Sequence, residues 1–179
     1  YVRTYVRTYV RTYVRTYTYV TYVQVRTHVR THVCTYVPAY VRTYVCTWNT
    51  HALFAINSKV FKWKKKILHN LLNNDCLILQ ETHTSPGDVA ILQYETHRTH
   101  TVFSSPFNSR AGGLIFLIKK ELADAFEWKL DNLIAGRSSI LTAYNRGCAI
   151  LSVSNMHLVP EWSYDIKNAA LVEMANKIK

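Results

Sequence analysis

Apolar residues recur at helical spacing in the stretch from residue 59 to residue 72, which indicates an amphipathic helix. Ser58 precedes this stretch and is a candidate N-cap. Four lysines are expected mostly on the polar side of the helix, namely Lys62, Lys64, Lys65 and Lys66. The residues expected on the buried stripe are Val60, Trp63, Ile67 and Leu71, widened by Phe61, Leu68 and Leu72.

Short apolar runs elsewhere predict strands. The run Cys76–Gln80 is typical of a strand buried on both faces. Other strands are expected at about 45–49, 99–104, 114–118, 126–130, 139–144 and 148–153, with a hairpin turn at Asn145, Arg146 and Gly147. A last helix is predicted from about Tyr164, with Ser163 as its cap and Ile166, Ala170, Met174 and Ile178 on its buried edge. This order predicts the α/β (α+β) class, a layered sandwich with a mostly antiparallel central sheet.

The N-terminal part of the chain is a low-complexity repeat. Residues 1–16 are four perfect copies of Tyr-Val-Arg-Thr, and the pattern then decays as far as Cys46. The tetranucleotide TACG, read repeatedly in triplets, encodes this tetrapeptide, which indicates translated simple-sequence DNA. Before Pro38 there is no turn residue, so one continuous strand would far exceed the usual length of roughly 3–10 residues. We therefore expect residues 1–43 to be disordered or irregular, and residues 44–179 to form part of a domain.

Two functional interpretations of the repeat are open. In a nucleic-acid-binding arm, Arg would contact phosphates and Tyr would stack on bases. In a zinc site, the ligands would be His28, His32, Cys34 and Cys46, although their spacing fits no familiar zinc finger.

Charge is unevenly distributed along the chain. Residues 1–47 hold seven Arg and no Asp or Glu, whereas residues 48–179 hold fifteen Lys or Arg and eleven Asp or Glu. A basic surface suits polyanions in general. The four cysteines form no CxxC motif, and we expect reduced thiols in an intracellular protein. No run approaches the roughly 18–20 apolar residues of a membrane span, and no obligate protein partner is evident.

Candidate chemistry lies where strands end. Glu81 follows the buried run Cys76–Gln80, Asn49 ends an earlier strand, and Asn155 and His157 follow a later one. A carboxylate with Asn and His on other strands suits a divalent-metal phosphodiester site. Taken singly, each residue also has a structural explanation, as a loop or half-buried residue.

The blocks Trp48-Asn49, Leu79-Gln80-Glu81-Thr82, Gly112-Gly113 and Asn155-Met156-His157-Leu158 occur in this order. Together they resemble the endonuclease/exonuclease/phosphatase superfamily, and most of all the apurinic-endonuclease-like domain of non-LTR retrotransposons. The resemblance implies a four-layer α/β sandwich and Mg²⁺-dependent (or Mn²⁺-dependent) hydrolysis, with DNA as partner and a nuclear location. It also implies that Glu81 and Asn49 hold the metal, that Asn49 and His157 bind substrate, and that His157 and Asn155 serve catalysis.

The chain departs from the family pattern in three places. Ala52 stands where the family usually has Gly, and neither a Gly-Asp-x-Asn block nor a Ser-Asp-His block is present. We therefore expect an incomplete sandwich that is inactive as given. His157, in place of the Tyr of apurinic endonucleases, keeps a lipid or other phosphodiesterase open as an alternative, beside a non-enzymatic basic nucleic-acid-binding fragment.

Overall fold

The computed structural model of the protein describes residues 9–15, 18–28, 40–54, 58–107, 111–157 and 162–177. Its strands are β1 (Tyr9–Arg15), β2 (Thr18–His28), β3 (Tyr40–Asn49), β4 (Cys76–Gln80), β5 (His100–Ser105), β6 (Leu114–Lys119), β7 (Glu127–Ile134), β8 (Ser138–Asn145) and β9 (Cys148–Met156). Its helices are α1 (Ser58–Leu71), α2 (Pro86–Thr96), α3 (Lys120–Ala125) and α4 (Tyr164–Lys177). Ile178 lies outside the described residues, as do His32 and Cys34, so the zinc interpretation stays a prediction.

The strands form two sheets. One has six strands in the order β1-β2-β3-β4-β6-β5, and the other has three in the order β7-β8-β9. Among the described strand pairs, β3 and β4 run parallel and the others antiparallel, which confirms the mostly antiparallel prediction. The hairpin turn between β8 and β9 is where the sequence predicted it, with Arg146 at φ 50° and Gly147 at φ 77°.

Successive side chains of β4 point to opposite faces of the six-stranded sheet and pack into two separate cores. Leu77 and Leu79 belong to a helix-side core, whereas Cys76 and Ile78 belong to an inter-sheet core. The helix-side core consists of Cys46, Trp48, Leu53, Leu68, Leu71, Leu77, Leu79, Val89, Leu92, Ile115 and Leu117. The inter-sheet core consists of Val45, Cys76, Ile78, Phe116, Ile118, Ala123 and Leu141. Since α4 contacts β7, the arrangement is compatible with the predicted α/β sandwich.

Two stretches of the repeat are strands. β1 pairs with β2, from Tyr9 opposite Gln24 to Arg15 opposite Thr18, and β2 pairs in turn with β3. β3 begins at Tyr40, so it crosses the predicted boundary between residues 43 and 44. The division of the chain at that boundary stays a prediction.

The two predicted helices, α1 and α4, lie where they were expected, and α3 was not predicted. The buried sides of α1 and α4 differ in part from the predictions. In α1, Val60 is 40% exposed and Trp63 is 51% exposed, whereas Lys64 is only 6% exposed. Lys64 Nζ donates a hydrogen bond to Ala52 O, 2.6 Å away, and another to His51 O. The helix is therefore rotated so that a lysine, rather than the predicted tryptophan, faces the interior. In α4, Ala170 and Met174 are buried as predicted, but Ile166 is 50% exposed, so its assignment to the buried edge was wrong.

None of the helices in the described ranges is long and apolar enough to cross a membrane.

Candidate functional site

The parallel pair β3 and β4 places two of the predicted site residues side by side. Asn49 is the last residue of β3 and lies opposite Gln80, the last residue of β4. Glu81 follows directly. Because parallel strands end at the same edge of a sheet, both polar side chains belong to one end of the fold.

The backbone after β4 is held in a conformation that non-glycine residues seldom adopt. Glu81 has φ 51° and His83 has φ 50°. Hydrogen bonds fix this turn from two sides: Ala52 N donates to Glu81 O at 2.8 Å, and His83 N donates to Gly112 O at 2.9 Å. Such a strained conformation persists only where several surrounding contacts hold the backbone in place, and it is frequent at functional sites.

Glu81 is surrounded by nitrogen donors. Its Oε1 lies 2.6 Å from Arg137 Nη1 and 2.8 Å from His157 Nδ1, and its Oε2 lies 2.8 Å from His83 Nε2. The side chains of Glu81 and Arg137 are each only 14% exposed. A single carboxylate therefore holds three basic side chains in a mostly buried cluster at the strand ends.

The electrostatics of the cluster favour an ionised Glu81. Burial would by itself raise its pKa, but the hydrogen bond from His83 and the charges of His157 and Arg137 bring the pKa below the usual value. For His157, burial and the neighbouring Arg137 lower the pKa, and the attraction of Glu81 only partly offsets them. The cluster therefore favours an ionised Glu81 beside the guanidinium of Arg137 and disfavours a proton on His157.

His157 Nδ1 lies close to both partners of the ion pair, 2.9 Å from Arg137 Nη1 and 2.8 Å from Glu81 Oε1. Because a guanidinium only donates, Nδ1 accepts the hydrogen bond from Arg137, and a neutral ring then carries its proton on Nε2. The contact with Glu81 is a close approach rather than a hydrogen bond. The backbone also links the two basic residues, since His157 N donates to Arg137 O at 2.8 Å.

Asn155 is close to the cluster but is used internally. It is 1% exposed, its Nδ2 donates to Leu79 O at 3.1 Å, and its Oδ1 accepts from Gln80 Nε2 at 2.8 Å. Gln80 Nε2 also donates to Met156 O at 3.0 Å. The side-chain amide of Asn155 thus links β9 to the end of β4, directly before Glu81. The catalytic role of Asn155 stays a prediction.

Asn49 shapes the neighbouring loop. Its Oδ1 accepts a hydrogen bond from His51 N at 3.2 Å, and the side chain is half-buried. Ala52, which directly follows His51, has φ 66°. The predicted metal- and substrate-binding roles of Asn49 are untested by this geometry.

Sequence reasoning missed Arg137 and His83. Arg137 lies in the turn between β7 and β8, and its partner Glu81 is 56 residues earlier in the chain. The only local signal was a Gly-Arg pair between two predicted strands, which is common in surface turns. His83 follows Glu81 by two residues, and this proximity could have marked it.

A bound Mg²⁺ does not fit this arrangement as it stands. Both oxygens of Glu81 already have nitrogen partners, and Mg²⁺ needs free oxygen ligands. Within the described ranges, no group of three or more His, Cys, Asp or Glu side chains could hold a metal ion.

Comparisons with known proteins give a limited likeness. No protein-family model and no curated protein matches the chain. Two crystal structures of TDP2 from Caenorhabditis elegans, the second a selenomethionine form, are each 20% identical to this chain, with TM-scores of 0.49. The matches cover 75% of this chain but only 41% and 40% of those chains.

Proposed function

We propose that the cluster around Glu81 binds a phosphodiester, and that the chain is part of an endonuclease-type phosphodiesterase. The observation that carries the proposal is the convergence of Arg137, His83 and His157 on one carboxylate at the ends of β3 and β4. Phosphate oxygens accept the same hydrogen bonds as a carboxylate, so an incoming phosphodiester is a natural alternative partner for these donors.

Each basic residue has a distinct use toward a phosphodiester. Arg137 presents a planar, permanently charged fork that matches two phosphate oxygens. His157 donates a hydrogen bond to a phosphate oxygen and thereby stabilises charge that develops there. Glu81 and the backbone bond from His157 to Arg137 hold both side chains in place before substrate arrives.

Magnesium, or manganese, belongs to the proposal through the sequence resemblance, with Glu81 and Asn49 as its ligands. Binding of the ion requires that Arg137 and His157 release Oε1 of Glu81. The sequence contains neither the Gly-Asp-x-Asn block nor the Ser-Asp-His block that would position and activate water. We therefore propose that these 179 residues bind the phosphodiester but hydrolyse it slowly or not at all.

DNA is the proposed substrate, with a retroelement-type endonuclease in the nucleus as the proposed origin. The sequence similarity around Asn49 and Glu81 and the net charge of +11 support it. A lipid head-group phosphodiesterase is the second candidate, because His157 occupies the position that is Tyr in apurinic endonucleases. Binding of a phosphocholine head group in preference to an oligonucleotide would favour the second candidate.

A binding measurement separates the site from the basic repeat. Titration of a fluorescent duplex oligonucleotide in EDTA would compare the whole chain with Arg137→Gln and Arg98→Gln. The two variants lose the same charge and keep the same repeat. Arg98 is exposed and lies just before β5. The first residue of β5, His100, pairs with Lys119 at the end of β6. Gly113, which lies next to the candidate site, is at the opposite end of β6.

We expect Arg137→Gln to weaken binding at least about tenfold, since a charged hydrogen-bonded contact contributes about 1.5–3 kcal/mol. Arg98→Gln should change binding little. Equal binding by both variants would refute the phosphodiester site. A nicking assay on supercoiled DNA with Mg²⁺ tests the proposal that hydrolysis is slow or absent. Robust nicking that Glu81→Gln abolishes would refute this inactivity but would support the site.

A further inference from the structure

An exposed aromatic ring lies beside the candidate site. Phe107 follows the end of β5 by two residues and is 53% exposed. Its ring centroid lies 5.6 Å from Cζ of Arg137, which places the guanidinium over the ring in a cation–π contact. On the basis of the proposed function, we propose that Phe107 stacks on the base of the nucleotide whose phosphate Arg137 binds. Phe107 is then a binding residue that distinguishes nucleotides from other phosphodiesters.

The backbone fixes the position of Phe107 relative to Arg137. Ser105, the last residue of β5, is 1% exposed, and its Oγ accepts a hydrogen bond from Gly136 N at 2.9 Å. Gly136 directly precedes Arg137 and has φ 60°, and an added Cβ there would clash with Cβ of Phe107. This close approach requires glycine. Phe107 is therefore held beside the guanidinium before a ligand arrives, which lowers the entropy cost of stacking.

The arrangement of charge and ring suits a nucleotide with an unpaired base. A nucleotide carries its base one sugar ring away from its phosphate, so a phosphate bound to Arg137 brings the base within reach of Phe107. Every base has a flat π-face that stacks on aromatic side chains, whatever the sequence. In a duplex these faces are covered by neighbouring bases, and stacking on protein needs a single strand or a flipped-out base. The preferred ligand is therefore single-stranded or locally opened nucleic acid.

A choline head group suits this ring less well than a base does. Quaternary ammonium ions also bind to the faces of aromatic rings. The ring of Phe107 already faces the guanidinium of Arg137, so a second cation on this ring would lie close to a like charge. An uncharged base meets no such repulsion. The contact between Phe107 and Arg137 therefore favours a nucleotide over a phosphocholine ester.

Matched ligands with and without bases test the stacking directly. In EDTA, a fluorescent single-stranded oligothymidylate would be compared with a strand of equal phosphate number that carries only abasic sugars. The variants are Phe107→Ala, Phe107→Tyr, which keeps a ring, and Tyr94→Ala as the control. Tyr94 is 79% exposed near the C-terminal end of α2, close in sequence to Arg98. The tetrapeptide repeat is the same in all of these proteins, so its own binding contributes equally to each.

We expect Phe107→Ala to weaken binding of the base-bearing strand about tenfold, the usual size of one stacking contact, and to leave binding of the abasic strand unchanged. Phe107→Tyr and Tyr94→Ala should change neither. Equal weakening of both strands by Phe107→Ala would show that the ring only supports Arg137, and this result would overturn the stacking, as would no weakening of either strand.

Arg137→Gln, measured in parallel, separates the stacking from the proposed function. If this variant weakens binding of both strands while Phe107→Ala weakens neither, the phosphodiester site stands and the stacking is refuted. If Arg137→Gln weakens binding of neither strand, the phosphodiester site itself is refuted, and the stacking beside it is refuted as well.

Photo-crosslinking provides an independent measurement on the unaltered chain. A strand with 5-iodouracil in place of thymine becomes bonded, on irradiation, to an aromatic ring that stacks on the modified base. Mass spectrometry of the digested protein should find a crosslink at Phe107, beside any at the tyrosines of the repeat. Crosslinks at the tyrosines alone would overturn the stacking. Tighter binding of a phosphocholine ester than of the oligonucleotide, lost in Phe107→Ala, would assign the ring to a lipid head group instead.

Discussion

Arg137 and Glu81 join the two sheets through a mostly buried ion pair. Arg137 lies in the turn between β7 and β8 of the three-stranded sheet, and Glu81 follows β4 of the six-stranded sheet. The atoms Nη1 and Oε1 are 2.6 Å apart, and each side chain is 14% exposed. The same contact that organises the candidate site therefore also fastens one sheet to the other.

Removal of Arg137 should destabilise the fold as well as the site. Arg137→Ala leaves Glu81 mostly buried beside two imidazoles, and the loss of one partner of a buried pair costs about 3–5 kcal/mol. Because His83 still donates a hydrogen bond to Glu81, we expect the loss in free energy of unfolding to be about 2–3 kcal/mol, measured by urea unfolding. The control is Lys120→Ala, which breaks the exposed pair with Asp124 and should leave the free energy of unfolding almost unchanged. Similar losses in the two variants would contradict the role given to the buried pair.

Ala52 is held in a conformation that suits glycine. Its φ is 66°, its N–H donates to Glu81 O, and its carbonyl accepts from Lys64 Nζ. Ala52→Gly removes the steric cost of this φ and should stabilise the fold by about 0.5–1 kcal/mol, after the greater freedom of the unfolded chain is subtracted.

Ala90→Gly is the matched control for that gain. Ala90 is exposed within α2, where glycine should instead destabilise the fold by about 0.5–1 kcal/mol. Thermal unfolding measures both variants. A lower melting temperature for Ala52→Gly would mean that the turn beside Asn49 does not have this backbone conformation.

Two glycines with positive φ should respond differently to alanine. Gly113 has φ 89°, and an added Cβ would lie 2.4 Å from Thr82 Oγ1, next to Glu81. Gly147 has φ 77°, and an added Cβ would meet nothing within 4 Å. We expect Gly147→Ala to cost about 1–2 kcal/mol from the backbone alone, and Gly113→Ala to cost at least about 1 kcal/mol more because packing must shift. Chemical denaturation of both variants tests the order, and equal losses would contradict the close approach of Gly113 to Thr82.

His100 should make stability depend on pH. It is 2% exposed, and burial lowers its pKa. The hydrogen bond to Asn74 O opposes part of this effect, and the charge of Lys119 lowers the pKa further. The unfolded chain takes up a proton near the ordinary histidine pKa of about 6.5, whereas the folded chain takes it up only at lower pH. This contribution to stability is therefore complete above about pH 6.5 and is lost as the pH falls through the folded-state pKa.

The variant His100→Gln isolates that contribution. The difference in unfolding free energy between wild type and variant should shrink as the pH is lowered from about 7.5 to 5, because only the wild type has this proton to bind. Urea titrations at several pH values measure it. A difference that stays constant over this range would show that His100 titrates alike in the folded and unfolded chains.

The cysteines should differ in reactivity toward a thiol reagent. Burial raises the pKa of Cys46 to about 12, and that of Cys76 likewise to about 12, whereas Cys148 is exposed. Since the thiolate is the reactive form, a Cys34→Ser protein at pH 8 should label rapidly at Cys148 only. The other two thiols should label after denaturation. Peptide mass spectrometry after a brief pulse identifies the sites, and early labelling of Cys76 would contradict its burial in the inter-sheet core.

Local sequence patterns predicted the strands from β4 to β9 because the causes of these strands are local, whereas β1 and β2 were not predicted. The run from Cys76 to Gln80 is apolar on both faces, and the structure buries Cys76, Leu77, Ile78 and Leu79. The turn through Arg146 and Gly147 carries its own backbone preference. These features are readable without knowledge of distant parts of the chain.

Features that depend on tertiary contacts could not be read in this way. The orientation of α1 is set partly by the hydrogen bonds from Lys64 to the carbonyls of His51 and Ala52, which no helical periodicity contains. Similarly, the partners of Glu81 come from its own turn, from the turn at Arg137 and from the end of β9 at His157. The motif order suggested that Glu81 and His157 share a site, but Arg137 had no local signal.

The repeat cannot be removed without also removing parts of the six-stranded sheet, because β2 and the first part of β3 belong to it. A protein that starts at residue 44 would lack the first part of β3 and the whole of β2, which pairs with Val45 to Trp48. Without β2, β3 would become an edge strand with unpaired backbone groups. That strand carries Cys46 and Trp48 of the helix-side core and ends at Asn49. Expression of a shorter protein should therefore begin no later than Thr18, where both hydrogen-bonded neighbours of β3 are retained.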